Sequence, residues 1–336
     1  MESSGSEKSF IKKVWITAGI AVFMVLVVLL LRASVSVLLM ILAGALVALF
    51  FHGFAGLIGR KTKLSHKWSM ALSIVLTFLF IVLTSWLMGS RIQSQVEELS
   101  SKFPAMVEQA KSQLNRSAIG QKILDQTSGQ DSAKLVSSVK NFFSSTFGVL
   151  GDLYIILFLG IFFTADPKVY RTGVLALVPK PYKKEGEHVL NELAHNLTSW
   201  LKGKLFSMAV VAVLTGIGLA VLGFPLVLTL ALIAGILNFI PNFGPIIAMV
   251  PAVLIGLSLG MNTALTVAGL YIFIQMLESN LITPMIQKKL VSIPPAMIII
   301  GQLVVGSLTG YLGIILATPV VLIIMVLTKE LYVKKQ

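Results

Sequence analysis

Apolar runs of membrane-spanning length alternate with short polar stretches through most of the chain. Residues 14–31 and 35–51 are nearly all hydrophobic, and 32–34 is the expected tight connection between two spans. A basic stretch at 60–67 precedes a third run at 68–88, with Trp68 and Trp86 near its ends, where indole rings anchor helices at the membrane surface. Each run is close to the ~20 residues that cross a hydrocarbon core about 30 Å thick. The run at 14–31 follows a basic start, as a secretory signal core does. It is longer than such a core, lacks a small-residue cleavage site and is followed at once by another run, so an uncleaved span is expected.

The pattern then changes. Residues 89–142 are polar overall, but Ile92, Val96, Leu99, Phe103, Met106, Ala110 and Leu114 recur at helical spacing. Shorter apolar faces follow at Ile119, Ile123 and Leu124, and at Leu135, Val136 and Val139, with a break near Gly129. Helices packing on each other or on a neighbouring subunit are expected, since no ligand constellation accompanies them. A fourth span is expected at 143–165, carrying Asp152 and ended by Asp166 and Pro167. In 166–202 the residues Val189, Leu193, Leu197 and Trp200 form an apolar stripe at spacings of four, four and three. That pattern predicts an amphipathic helix lying in the inner headgroup region. A fifth run, 205–222, is rich in small residues, and its Gly216 and Ala220 allow close helix approach.

Beyond 222 the apolar pattern is interrupted twice. Asn238, Pro241, Asn242, Gly244 and Pro245 split what would be one long helix. Proline removes a backbone donor, and irregular backbone at membrane depth survives only when buried in protein or lining a wet cavity. A second interruption is expected across 306–313, including Gly310 and Gly313, and another at Pro319. Residues 244–251 echo 313–319 weakly, and paired interrupted segments point to a transporter's binding site. Between the two lies a run at 263–277 followed by Glu278, Ser279, Asn280, Thr283 and Pro284.

Composition and charge narrow this picture. Hydrophobic residues make up 56% of the chain, charged residues 12%, and mean hydropathy is +0.91, whereas soluble domains are about a quarter charged. There is no cysteine, which excludes disulfides and thiolate metal sites. The net charge of +13 is read as topology and not as a nucleic-acid footprint. Nineteen of the 27 Lys and Arg fall in the N-terminal tail, 60–67, 166–204, 288–289 and the C-terminal tail, which the positive-inside rule assigns to the cytoplasm together with both termini.

The chemistry is sparse. Asp152 and Glu278 are the two acids inside apolar runs, and an ionisable residue at membrane depth is a functional hypothesis. Glu278 with a nearby hydroxyl and amide could hold a cation, a proton or a polar ligand; its plain alternative is an interfacial carboxylate. Asp152 has a plain alternative as a helix-start acid. His188, Glu192 and His195 share a helix face, for which a solvated polar face is favoured over a metal site. No phosphate-binding loop, zinc-protease motif or serine-hydrolase elbow occurs. No enzyme, no cofactor and no metal is therefore expected.

The order of elements, together with 239–245, 278–284 and 316–319, resembles the autoinducer-2 exporter (AI-2E) family of bacterial membrane proteins over nearly the whole chain. The resemblance implies an inner-membrane protein that exports small molecules without its own ATPase, and a homo-oligomer, with a pentamer as the expected form. One branch is associated with the furanosyl quorum-sensing signal autoinducer-2, another with sodium(lithium)/proton antiport.

The expected architecture is an all-α polytopic membrane protein with about eight membrane segments, two of them broken or re-entrant hairpins, plus an extracytoplasmic helical insert. Its parts are a tail at 1–13, a three-span unit at 14–88, the insert at 89–142, the span at 143–165, a basic linker at 166–202, a transport core at 203–328 and a tail at 329–336. The expected function is secondary export of a small polar molecule. The alternatives are a sodium(lithium)/proton antiporter and a non-transporting scaffold working through 90–140. The path is expected at Asn238, Pro241, Asn242, Gly244, Pro245, Glu278, Ser279, Asn280, Thr283 and Pro284, with Asp152, Gly310, Gly313 and Pro319 as accessories.

Overall fold

The computed structural model describes residues 3–86, 146–287 and 293–335. The insert at 89–142 lies outside these. The described residues form helices and no strand, as the expected all-α class requires.

The first two predicted spans are one helix, α1 (Ser3–Thr62). The connection expected at 32–34 is helical, because Arg-Ala-Ser contains neither proline nor glycine and nothing in it stops a helix. At 1.5 Å per residue α1 measures about 90 Å, and its part from Ser34 to Thr62 is apolar and long enough to cross a membrane. A turn with Lys63 at φ 56 leads into α2 (His66–Trp86), tied back to α1 where the buried Ser73 hydroxyl donates to the Phe51 carbonyl at 3.2 Å.

Helix α3 (Thr146–Ala165) ends where expected. Asp166 caps α4 (Pro167–Ala176), accepting from the Val169 N–H at 3.4 Å, and the chain bends by 93°. A turn at Lys180–Tyr182 opens α5 (Lys183–Val221). This corrects the expectation of a separate interfacial helix: the stripe and the fifth span are continuous. Nothing between Trp200 and Leu205 breaks the helix, and Val189, Leu197 and Trp200 are buried against protein instead of facing headgroups.

The broken C-terminal half is two helical hairpins with a long helix between them. Helices α6 (Val227–Leu237) and α7 (Phe243–Leu259) make the first. Helix α8 (Met261–Leu277) continues through a π-helical turn, Glu278–Ile282, into a last turn at Thr283–Gln287. Helices α9 (Pro295–Thr309) and α10 (Tyr311–Leu331) make the second. The break expected across 306–313 shrinks to Gly310, at φ 67, and Pro319 lies inside α10 without interrupting it.

Among the described residues, five helices are long and apolar enough to cross a membrane, or six if the bent α3–α4 pair counts as one span. The expected count of about eight is not reached among the described residues. Two expected spans have fused, and α6, α7 and α9 are shorter apolar helices.

Two apolar cores result among the described residues. One joins α1, α3, the first half of α5 and α10 through Leu46, Ile156, Leu197, Trp200 and Leu322. The other joins the second half of α5 to α6, α7 and α8 through Val211, Leu219, Leu230, Ala252 and Val267. Helix α5 belongs to both, and the joint falls between Leu201 and Val211.

Candidate functional site

A polar cluster sits at that joint. Proline cannot donate to the carbonyl four residues back and its ring crowds that carbonyl. Pro284 therefore disfavours an α-helical turn before it, and the backbone widens to a π-turn over Glu278–Ile282. Such turns in otherwise regular helices are frequent at functional sites. This one carries Glu278 inward, where it is 6% exposed.

The carboxylate is held by donors from three directions. Ser207 of α5 donates to Oε1 at 2.8 Å, Thr283 donates to the same oxygen at 3.0 Å, and the Gln275 amide reaches Oε2 at 3.4 Å. The Ser207 oxygen in turn accepts from Asn238 Nδ2 at 3.0 Å. Asn238 is 2% exposed and follows the last residue of α6. One chain of hydrogen bonds thus runs from the α6–α7 break through α5 to the π-turn. Lys204, one turn before Ser207, is half-buried.

The tip of the α6–α7 hairpin has its own clamp. Asn242 adopts φ 66 and ψ −52, and the Phe243 N–H donates to the Pro241 carbonyl at 2.8 Å, closing a three-residue γ-turn. Turns of this hand are rare and strained. Gln302, 2% exposed on α9, holds the strain in place. Its amide donates to the same Pro241 carbonyl at 2.8 Å and accepts from Asn242 Nδ2 at 3.2 Å. Phe239 meets Trp200 edge to face at 5.8 Å. Gly244 is required because a Cβ there would overlap the Leu237 carbonyl. Pro245 is the third residue of α7, where its missing N–H leaves no helical bond unmade.

The other predicted residues divide. Ser279 is exposed and accepts from Gln275 at 3.1 Å, at the margin of the cluster. Asn280 is exposed and bonds its own helix at the Met276 carbonyl. Pro284 is exposed and acts through the backbone. Asp152 accepts from the Tyr311 hydroxyl beside Gly310, which ties α3 to the start of α10, away from Glu278. Gly313 packs against the Val305 carbonyl as Gly244 does against Leu237. Pro319 is buried in α10. His188 bonds Glu330 at 3.1 Å, with Lys334 on the same oxygen at 2.7 Å. Among the described residues no group of three or more His, Cys, Asp or Glu could hold a metal.

Sequence reasoning missed Ser207, Gln275 and Gln302. Gln302 had a legible signal, as a lone amide in the middle of a long apolar run. Ser207 had less: one hydroxyl in a helix rich in small residues reads as a packing residue.

Several known proteins are similar to this chain. YrrI, a candidate transport protein of Bacillus subtilis (strain 168), is 32% identical over 51% of this chain and 48% of its own length. YueF, another from the same organism, is 26% identical over 76% of this chain and 75% of its own. PerM, a candidate permease of Escherichia coli (strain K12), is 25% identical over 56% of this chain and 54% of its own. The matches with YrrI and PerM thus span about half the length of those relatives. The profile of the AI-2E family transporters matches from residue 19 to residue 332, so the chain belongs to the AI-2E family of membrane transporters.

Proposed function

We propose that the protein is a secondary transporter of the bacterial cytoplasmic membrane that exports a small polar molecule similar to autoinducer-2. The observation that carries this reading is the buried Glu278 on a π-turn, joined through Ser207 to Asn238 at the α6–α7 break. Broken helices with converging polar groups are the transporter pattern.

In this reading the α6–α7 hairpin is re-entrant. Helix α6 covers only about 17 Å of a ~30 Å hydrocarbon core, and Asn238 holds its tip level with Ser207. Ser207 lies near the start of the apolar run 205–222, next to the basic stretch 166–204. The cluster therefore stands at the cytoplasmic end of the path, where an exported molecule would first bind. Both termini are cytoplasmic and the assembly is a homo-oligomer. The test compares extracellular and internal autoinducer-2 in cells with and without the gene. Export should fall and the internal level rise on deletion; equal levels in both would remove that substrate.

A second reading is sodium(lithium)/proton antiport. It is favoured by the two hydroxyls that converge on Glu278 Oε1, since oxygen donors around a carboxylate suit a hard cation. Glu278→Gln in vesicles under a pH gradient should then abolish sodium-driven proton movement. Movement unchanged by that substitution removes Glu278 from any ion-coupled mechanism.

A further inference from the structure

Helices α5 and α8 run antiparallel, because Ser207 meets Glu278 at one level and Gly218 packs against Leu270 at another. Along the seam each presents one buried stripe: Ser207, Val211, Thr215 and Leu219 on α5, and Glu278, Ile274, Tyr271 and Val267 on α8. The first pair is polar and bonded. The next, Val211 and Ile274, is apolar. Then come Thr215, 1% exposed, and Tyr271, 7% exposed, and neither hydroxyl has a hydrogen-bond partner.

Both unpaired hydroxyls lie on stripes that face one another. Eight residues of α5 set Thr215 about 12 Å beyond Ser207, and seven residues of α8 set Tyr271 about 10 Å beyond Glu278. Thr215 is also at the middle of the apolar run 205–222, so the pair falls near the membrane centre. A threonine in a helix ordinarily bonds the carbonyl a turn back, and a buried tyrosine hydroxyl ordinarily finds a partner. Buried polar groups without partners cost free energy, and at membrane depth no bulk water offsets it.

We propose that Thr215 and Tyr271 form a second, uncharged binding step for the transported molecule, halfway across the membrane, and that it takes a neutral, hydroxyl-bearing solute. This rests on the transport reading and adds the class of molecule carried. A hydroxyl donates and accepts one on each side, matching a polyol, a sugar or a furanose. No charged side chain stands on either stripe at this level, so a bare ion would find no counter-charge here. Glu278 and Ser207 receive the solute at the cytoplasmic end, and it passes Val211 and Ile274 to reach Thr215 and Tyr271 on its way out.

The test uses the full chain in proteoliposomes with five probes: labelled glycerol, ribose, autoinducer-2, lactate and sodium. Thr215→Val and Tyr271→Phe each remove one oxygen and keep the shape. Wild-type protein should carry at least one of the three neutral probes, and the double variant should lose about tenfold of that flux. Thr215→Ser should retain it. The double variant should unfold at an unchanged or higher temperature, because an unpaired hydroxyl has been removed. Neutral flux that survives in the double variant overturns the step. Flux of lactate or sodium alone overturns the solute class while leaving transport standing. No flux of any probe overturns this inference together with the transport reading.

Discussion

A carboxyl group 6% exposed inside an apolar chain needs partners to replace the water it lost. Glu278 has three, of which Ser207 matters most because it also accepts from Asn238. Ser207→Ala leaves both the carboxylate and the Asn238 amide short of a partner. It should lower stability by ~1–3 kcal/mol, read as the shift of an unfolding midpoint in detergent. Asn238→Ala should cost less once Ser207 is gone, since the two share one bond. The double-mutant cycle should then show a coupling of ~0.5–3 kcal/mol, and additive losses would mean that the chain of bonds does not act as one unit. Glu278 was legible because an acid stands out in an apolar sequence. Ser207 was not, because what singles it out is a partner 71 residues away.

Whether a residue breaks a helix depends on what its backbone must do, and that explains which elements the sequence revealed. The break at 238–245 was legible since Pro241, Asn242 and Gly244 all mark it, and its tip is strained in fact. The wider break at 306–313 was over-read. Gly306 stays helical against Ile314, and only Gly310 leaves helical space. Pro251 and Pro319 sit inside α7 and α10, because the carbonyl that loses its partner can be accommodated by local adjustment or neighbouring groups in a packed membrane helix. The fusions at 32–34 and near 202 went unseen because a charge between apolar runs looks like a loop when no neighbour is visible. The weak echo between the two hairpins has a physical counterpart. In each, a glycine just past the tip lies against a carbonyl of the incoming helix. Gly244→Ala and Gly313→Ala should each cost ~4 kcal/mol or more, seen as lost folded yield. Gly310→Ala meets open space and only a backbone penalty, about 1–3 kcal/mol. Equal effects at all three would show that the close approach is not what the glycines serve.

At the scale of the whole molecule, α5 decides the geometry. Its 39 residues measure about 58 Å against ~30 Å of hydrocarbon, so roughly half of it stands outside the membrane. The Glu330 side chain, 3% exposed, joins His188 on that protruding half to Lys334 just past α10. The two helix ends must therefore emerge on one side, and the far end of α5 on the other. The chain has no cysteine, so single-cysteine variants report single positions. With a membrane-impermeant maleimide, Glu187→Cys and Val333→Cys should label from the same side, Leu222→Cys from the opposite one, and Phe206→Cys should resist labelling as a lipid-facing position. The proposed topology takes the shared side as the cytoplasm, on the strength of the basic residues around 180–204. Labelling of positions 187 and 333 from opposite sides would break the pairing of α5 with α10. The joint between the two cores would go with it, because Leu201 and Leu197 pack against Leu322 and Val326 in the first core while Ser207, one to two turns on, holds Glu278 at the edge of the second. On the transport reading proposed above, a solute that displaces the Ser207–Glu278 bond would act at the joint of the two cores.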